Sequence, residues 1–82
     1  MDARHSLDVS IVTPEGVLFE GKAQRVIFPG ENGVFEVLIN HKPVLGRLVS
    51  GEVVVDEMVI PIESGVARVA LNQVLAVVEP GS

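Results

Sequence analysis

The chain carries two histidines, His5 and His41, and no cysteine. A metal centre needs several such ligands converging at a characteristic spacing, such as His-x-Glu. Neither histidine has a second histidine or a carboxylate so placed, which speaks against a metal site and against a metal-dependent barrel enzyme. Nucleophilic catalysis needs a nucleophile, a base and an orienting group. Ser64 lies in Glu63-Ser64-Gly65, lacks the Gly-x-Ser-x-Gly elbow, and reads as a turn serine. Paired carboxylates do acid–base work when burial sets them apart, but of Glu15, Glu20, Glu31, Glu36, Asp56, Glu57 and Glu63 most fall in turns or at strand ends. Pro29-Gly30-Glu31-Asn32-Gly33 is rich in glycine, yet it lacks the Gly-Lys-Ser/Thr ending and the helix N-terminus of a phosphate cradle. Glu31 there would repel an anion. The chemistry on offer is therefore recognition rather than reaction, and no cofactor is expected.

Recognition points to the stretch from Phe28 to Pro43, where two turn clusters bracket one apolar run. Gly30, Glu31, Asn32, Gly33 and Val34 form the first cluster. Its Pro29-Gly30 and Asn32-Gly33 pairs are turn signals, and Asn-Gly between apolar segments suggests a type I′ hairpin with positive φ at both central residues. Asn40, His41 and Lys42 form the second, closed by Pro43, which cannot continue a central strand. The two loops lie at opposite ends of a short strand, and a chain that folds back would let them share one binding surface.

The elements that hold these loops are strands. Leu7, Val9 and Ile11 alternate with polar residues, the period-2 mark of a half-buried strand. Thr13-Pro14-Glu15-Gly16 is a turn. Val17–Glu20 starts a second strand, with a bulge or bend expected at Gly21-Lys22-Ala23, and Arg25–Phe28 is a third, rich in β-branched and aromatic residues. Val44–Val49 reads either as a strand with a glycine bulge or as an irregular crossing. Glu52–Val55 and Met58–Ile62 flank Asp56-Glu57 as a tight hairpin, with Pro61 suggesting an edge strand. Glu63-Ser64-Gly65 reads as a further turn. Val66–Leu71 and Val74–Val78 form a last hairpin around Asn72-Gln73, and Pro80-Gly81 ends the fold. No helical period is sustained, and the turn spacing is that of a sandwich or barrel. The expected fold is all-β: one small antiparallel β-sandwich with short hairpins over residues 1–82, its core at about 7–79.

Composition narrows the partners. The 82 residues are 48% hydrophobic with a formal net charge of −5. Nucleic acid and anionic lipid both call for a basic surface, so neither is expected. Trp and Tyr are absent and the three Phe sit in strands, which weakens base or sugar stacking. The longest apolar run, Val74–Val78, falls far short of the roughly 20 residues of a membrane span, and the N-terminus has no signal-like core. Val17-Leu18-Phe19, Val53-Val54-Val55 and Val74–Val78 are apolar on both faces. One face packs the core; the other is either covered by loops or open to dock a partner.

In order and spacing, these pieces resemble the N-terminal β-sandwich domain of the epsilon subunit of F-type ATP synthases, called delta in mitochondria. The resemblance runs from Leu7 to about Glu79. It rests on Leu7-Asp8-Val9, Val12-Thr13-Pro14-Glu15-Gly16, Phe19-Glu20-Gly21, Pro29-Gly30-Glu31-Asn32-Gly33, His41 shortly before Pro43, Ser50-Gly51 and Ser64-Gly65-Val66. It implies a non-catalytic rotor-stalk subunit that links the gamma subunit to the membrane-embedded c-ring and couples proton or sodium transport to ATP synthesis. It further implies a place on the cytoplasmic face of a bacterial inner membrane, with membrane contact only through the complex. By the same resemblance, Gly30, Glu31, Asn32, Gly33, Val34, Asn40, His41 and Lys42 face the c-ring as one docking edge while a sheet face packs on gamma. The family usually has a glycine where this chain has Glu36, and Pro-Gly where it has Ile39-Asn40. It commonly continues into a helical hairpin, so a chain ending near Pro80 is expected to lack hairpin inhibition and to bind no ATP. The alternative is an unrelated small β-sandwich that binds a ligand or a protein.

Overall fold

The computed structural model describes residues 5–81. Eight strands account for most of them: β1 (Leu7–Thr13), β2 (Gly16–Ala23), β3 (Arg25–Gly30), β4 (Gly33–Leu38), β5 (Val44–Leu48), β6 (Gly51–Val55), β7 (Met58–Ala70) and β8 (Gln73–Pro80). The fold is all-β, as the alternation predicts. In β1, Leu7, Val9 and Ile11 are buried; in β8, Val74, Ala76 and Val78 are buried while Leu75 and Val77 face out. Hydrogen bonding runs continuously in the order β2-β1-β8-β7-β5-β3-β4, with β6 bridging β3 and β7.

The long strand β7 folds this ribbon into two layers. Its first half, Met58–Ile62, pairs with β6, and its second half, Gly65–Val69, pairs with β5. One layer is therefore β2-β1-β8-β7-β5, and the other is β4-β3-β6 with the start of β7. Pro61 lies in the half of β7 that borders β6, and its carbonyl accepts a hydrogen bond from the Gly81 N–H at 3.0 Å. The hairpin around Asp56-Glu57 forms as expected, closed by Val55 opposite Met58. The pairs are antiparallel except β1 with β8, which run parallel in the middle of the larger layer.

Several local expectations are corrected. Glu63-Ser64-Gly65 is not a turn: β7 passes through it with a register shift against β8 between Ile62 and Ser64. A Cβ on Gly65 would lie 2.6 Å from the Val77 carbonyl oxygen, so glycine here permits close strand packing. The bulge expected at Gly21–Ala23 falls instead opposite Ile11/Val12, where Phe19 and Val17 pair across the sheet and Leu18 is the extra residue. Val44–Leu48 is a regular strand. Pro80 belongs to β8, and Pro80-Gly81 continues the backbone pairing rather than ending it.

The core lies between the layers. Phe28 is its largest fully buried side chain, with the Phe35 ring 5.4 Å away and tilted by 33°. Phe19 and Phe35 pack against the core while partly exposed. Val26, Val37, Val53, Ile62, Val69 and Val74 complete much of it. Most are β-branched, which suits a pleated surface packed on one side.

Candidate interaction surfaces

The Gly30–Val34 cluster is the tip of the β3–β4 hairpin. Gly30 pairs with Gly33, leaving Glu31 and Asn32 as the central residues. Neither has positive φ; the positive value, 125°, belongs to Gly33. The type I′ turn expected at Asn32-Gly33 is thus not formed, because the hairpin closes one residue earlier. Gly30 is buried, and a Cβ there would meet the Gly33 carbonyl oxygen at 2.6 Å and the Phe35 ring at 2.9 Å. Two backbone bonds tie the tip to the chain around β5: Glu31 N to Arg47 O at 2.8 Å and Val49 N to Pro29 O at 2.9 Å. Glu31, Asn32, Gly33 and Val34 are exposed on this fastened base.

The Asn40–Lys42 cluster carries the chain from β4 to β5, and so from one layer to the other. Asn40 adopts φ 67°, the left-handed turn that Asn tolerates. The Asn40 N–H donates to Asn72 Oδ1 at 2.6 Å, and Asn72 Nδ2 donates to Asn40 Oδ1 at 3.3 Å. His41 N donates to Leu38 O at 3.1 Å, and His41 Nδ1 lies 2.6 Å from Lys42 O. The imidazole is half-buried, whereas Asn40 and Lys42 are exposed.

These two clusters flank one strand. Strand β4 separates them, and its five residue steps span about 17 Å at ~3.3 Å per residue. The return strand β5 runs back from the second cluster to the first, with Leu48 beside Gly30. The two loops thus stand at the two ends of β4, the free edge strand of its layer.

A third surface is the outer face of the larger layer, and here the apolar residues are open rather than covered. Cross-strand register aligns Leu45, Arg68, Leu75, Ser10 and Glu20 in one row, and Arg47, Val66, Val77, Val12 and Val17 in the next. Leu45, Val66, Leu75, Val77 and Val17 are all exposed. Lys22 pairs with Asp8 at 2.6 Å at the border of this face. Arg47 and Arg68 make no ion pair with a described residue. In a chain of net charge −5, an apolar sheet face carrying two arginines without an ion pair among the described residues is complementary to an apolar protein surface with acidic groups around it. Among the described residues no three His, Cys, Asp or Glu side chains gather as metal ligands would.

Sequence reasoning missed two features. It did not join Asn72 to Asn40, because a side-chain clasp across 32 residues leaves no local signal. It also placed the last turn at Asn72-Gln73, whereas the central residues are Leu71 and Asn72, both with positive φ (54° and 61°), between paired Ala70 and Gln73.

The fold is that of a small β-sandwich domain with an exposed apolar outer face. The family of the ATP synthase delta/epsilon chain β-sandwich domain matches residues 6–80. The chain belongs to that family. It is 39% identical over 79 residues to the ATP synthase epsilon chain of Nitratiruptor sp., covering 90% of this chain and 61% of that one. It is 35% identical over 81 residues to the epsilon chain of Rickettsia typhi, covering 90% and 74%. The chain thus spans only part of these relatives' length. A chain of the Euglena gracilis mitochondrial ATP synthase (OSCP/F1/c-ring) superimposes with a TM-score of 0.83 at 14% identity, over 95% of this chain and 53% of that one. One from the Tetrahymena thermophila enzyme (central stalk/c-ring) gives 0.76, also at 14% identity, over 89% and 63%. At that identity the likeness establishes the shared fold.

Proposed function

We propose that the chain is the sandwich domain of a non-catalytic rotor-stalk subunit of an F-type ATP synthase. In this role it links gamma to the c-ring and couples proton or sodium transport to ATP synthesis, as a peripheral part of the complex on the cytoplasmic face of a bacterial membrane. The observation that carries this reading, beyond family membership, is the exposed apolar outer face of the β2-β1-β8-β7-β5 layer. A face bearing Leu45, Val66, Leu75 and Val77 with Arg47 and Arg68 is built to be covered, and gamma is the partner assigned to it. The Gly30–Val34 tip, with exposed Glu31 and Asn32 on a fastened base, is assigned to the polar loops of the c-ring. Asn40, His41 and Lys42, at the other end of the edge strand β4, are assigned to the same ring-facing edge.

Co-expression with gamma from the same genome, followed by size-exclusion chromatography, tests this reading. A stable one-to-one complex supports it. If both partners are folded yet no complex forms, alone or with detergent-solubilised c-ring, the chain shares the family's fold without its role.

A further inference from the structure

Leu71 has the highest exposure among the large apolar side chains described, at 91%. It also holds φ 54°, the left-handed region that disfavours residues with a Cβ. Two-residue hairpin turns with positive φ at both positions ordinarily take Asn-Gly, Asp-Gly or Gly-Gly. Here leucine occupies the first position, where it gains no burial and sits in a poor conformation. Nothing in the isolated domain rewards it.

The turn that displays Leu71 is clamped on both sides. Asn72 exchanges hydrogen bonds with Asn40 across the two loops, and its carbonyl accepts from the Asp8 N–H at 2.9 Å. The tip is thereby fastened to β1 and to the β4–β5 loop, so an apolar side chain is held out on a braced support. Such preorganisation lowers the ordering cost of binding. Leu71 also continues the proposed gamma-facing surface: Ala70 and Gln73 flank it, and Leu75 follows on the outer face of the same layer. Lys42, two residues beyond Asn40, is exposed and without an ion pair among the described residues.

We propose that Leu71 is a contact residue, an apolar knob at the end of the larger layer's outer face that enters an apolar socket on gamma with a carboxylate near its rim. This rests on the stalk reading. Gamma is assigned as its partner because the knob adjoins the gamma-facing sheet, where Ala70, Gln73 and Leu75 continue the outer face.

The test compares wild type with Leu71→Gly and Leu71→Asn, measuring thermal melting and affinity for purified gamma by isothermal titration calorimetry. Both replacements accept positive φ, so both variants should melt at or above the wild-type temperature. Both should bind gamma at least tenfold more weakly, since burying one leucine side chain is worth about a factor of ten or more. Affinities within twofold of wild type would overturn the knob while leaving the stalk reading intact. Variants melting well below wild type would overturn its premise that leucine is unrewarded in the free domain. A wild type that binds neither gamma nor a gamma–ring complex would remove the stalk reading, and the knob with it.

Discussion

Gly65→Ala should destabilise the domain even though alanine is the better strand residue. A Cβ at position 65 would sit 2.6 Å from the Val77 carbonyl oxygen, 2.9 Å from Val78 Cγ1 and 3.1 Å from Val78 Cα. The first contact is about 0.8 Å short of the 3.4 Å at which ordinary contact begins. The obstacle is backbone, and β8 cannot retreat because it is paired with β7 on one side and β1 on the other. Overpacking of this kind costs about 1–3 kcal/mol. Removing a strand glycine returns roughly 0.5–1 kcal/mol. With rigid backbone as the obstacle, the upper half of the first range, about 2–3 kcal/mol, applies, leaving a net loss of about 1–2.5 kcal/mol. For a domain of this size each kcal/mol moves the melting temperature by about 4–8 °C, so a fall of roughly 4–20 °C is expected. Thermal unfolding followed by far-ultraviolet circular dichroism measures it. A Gly65→Ala protein that melts at or above wild type would refute the claim that this glycine exists to admit β8.

Three further outcomes follow from named contacts. Asp56 Oδ1 accepts from Gln24 N at 2.9 Å and Arg25 N at 3.1 Å, holding the bend between β2 and β3, and Asp56 holds φ 53°, which Gly and Asn both accept; Asp56→Gly should cost about 1–2 kcal/mol in urea denaturation and Asp56→Asn clearly less, whereas equal losses would refute the hydrogen-bond account. Ile62, 2% exposed where β7 passes between the layers, should lose about 0.5–1.5 kcal/mol on change to Val, read as a lower urea midpoint with an unchanged slope. Because Glu31 and His41 flank the free edge strand β4, Glu31→Ala and His41→Ala should each weaken capture of detergent-solubilised c-ring; a loss at only one of them would show that only one end of β4 meets the ring.

Strand identity was legible where burial on one face imposes a period of two, as in Leu7-Asp8-Val9-Ser10-Ile11 and Gln73–Val78. The hairpin at Asp56-Glu57 was legible too, since paired charges between two apolar runs leave one compact way to turn. Glu63-Ser64-Gly65 misled because glycine has two uses, positive φ and missing volume, and local sequence does not distinguish them. The second depends on Val77, which is remote in the chain. The parallel pairing of β1 with β8 was hidden for a related reason: it joins the two ends of the fold and depends on how the layers close. For the candidate surfaces, the residues of both loops could be read, but their separation depended on β4 and β5 running as regular strands. The open apolar face was left undecided by the sequence because residues apolar on both sides of a strand fit a covered sheet equally well.

A domain proposed to meet the ring along the β4 edge and gamma through the outer face of the larger layer must act as a spacer through which force passes. The structure has features suited to that role. Strand β4 connects the two loops directly, and β5 returns beside them, with Glu31 N and Val49 N bonded across at the far end. Strand β7 belongs to both layers, so a shear that slides one layer over the other must break either its ladder to β6 or its ladder to β5. The Asn40–Asn72 clasp closes the other end, where the chain crosses between layers. Under the stalk reading, torque entering at Glu31 thus reaches the gamma side through continuous strands and paired backbone. The glycines at 30 and 65 serve this arrangement by letting backbones approach where a Cβ would hold them apart.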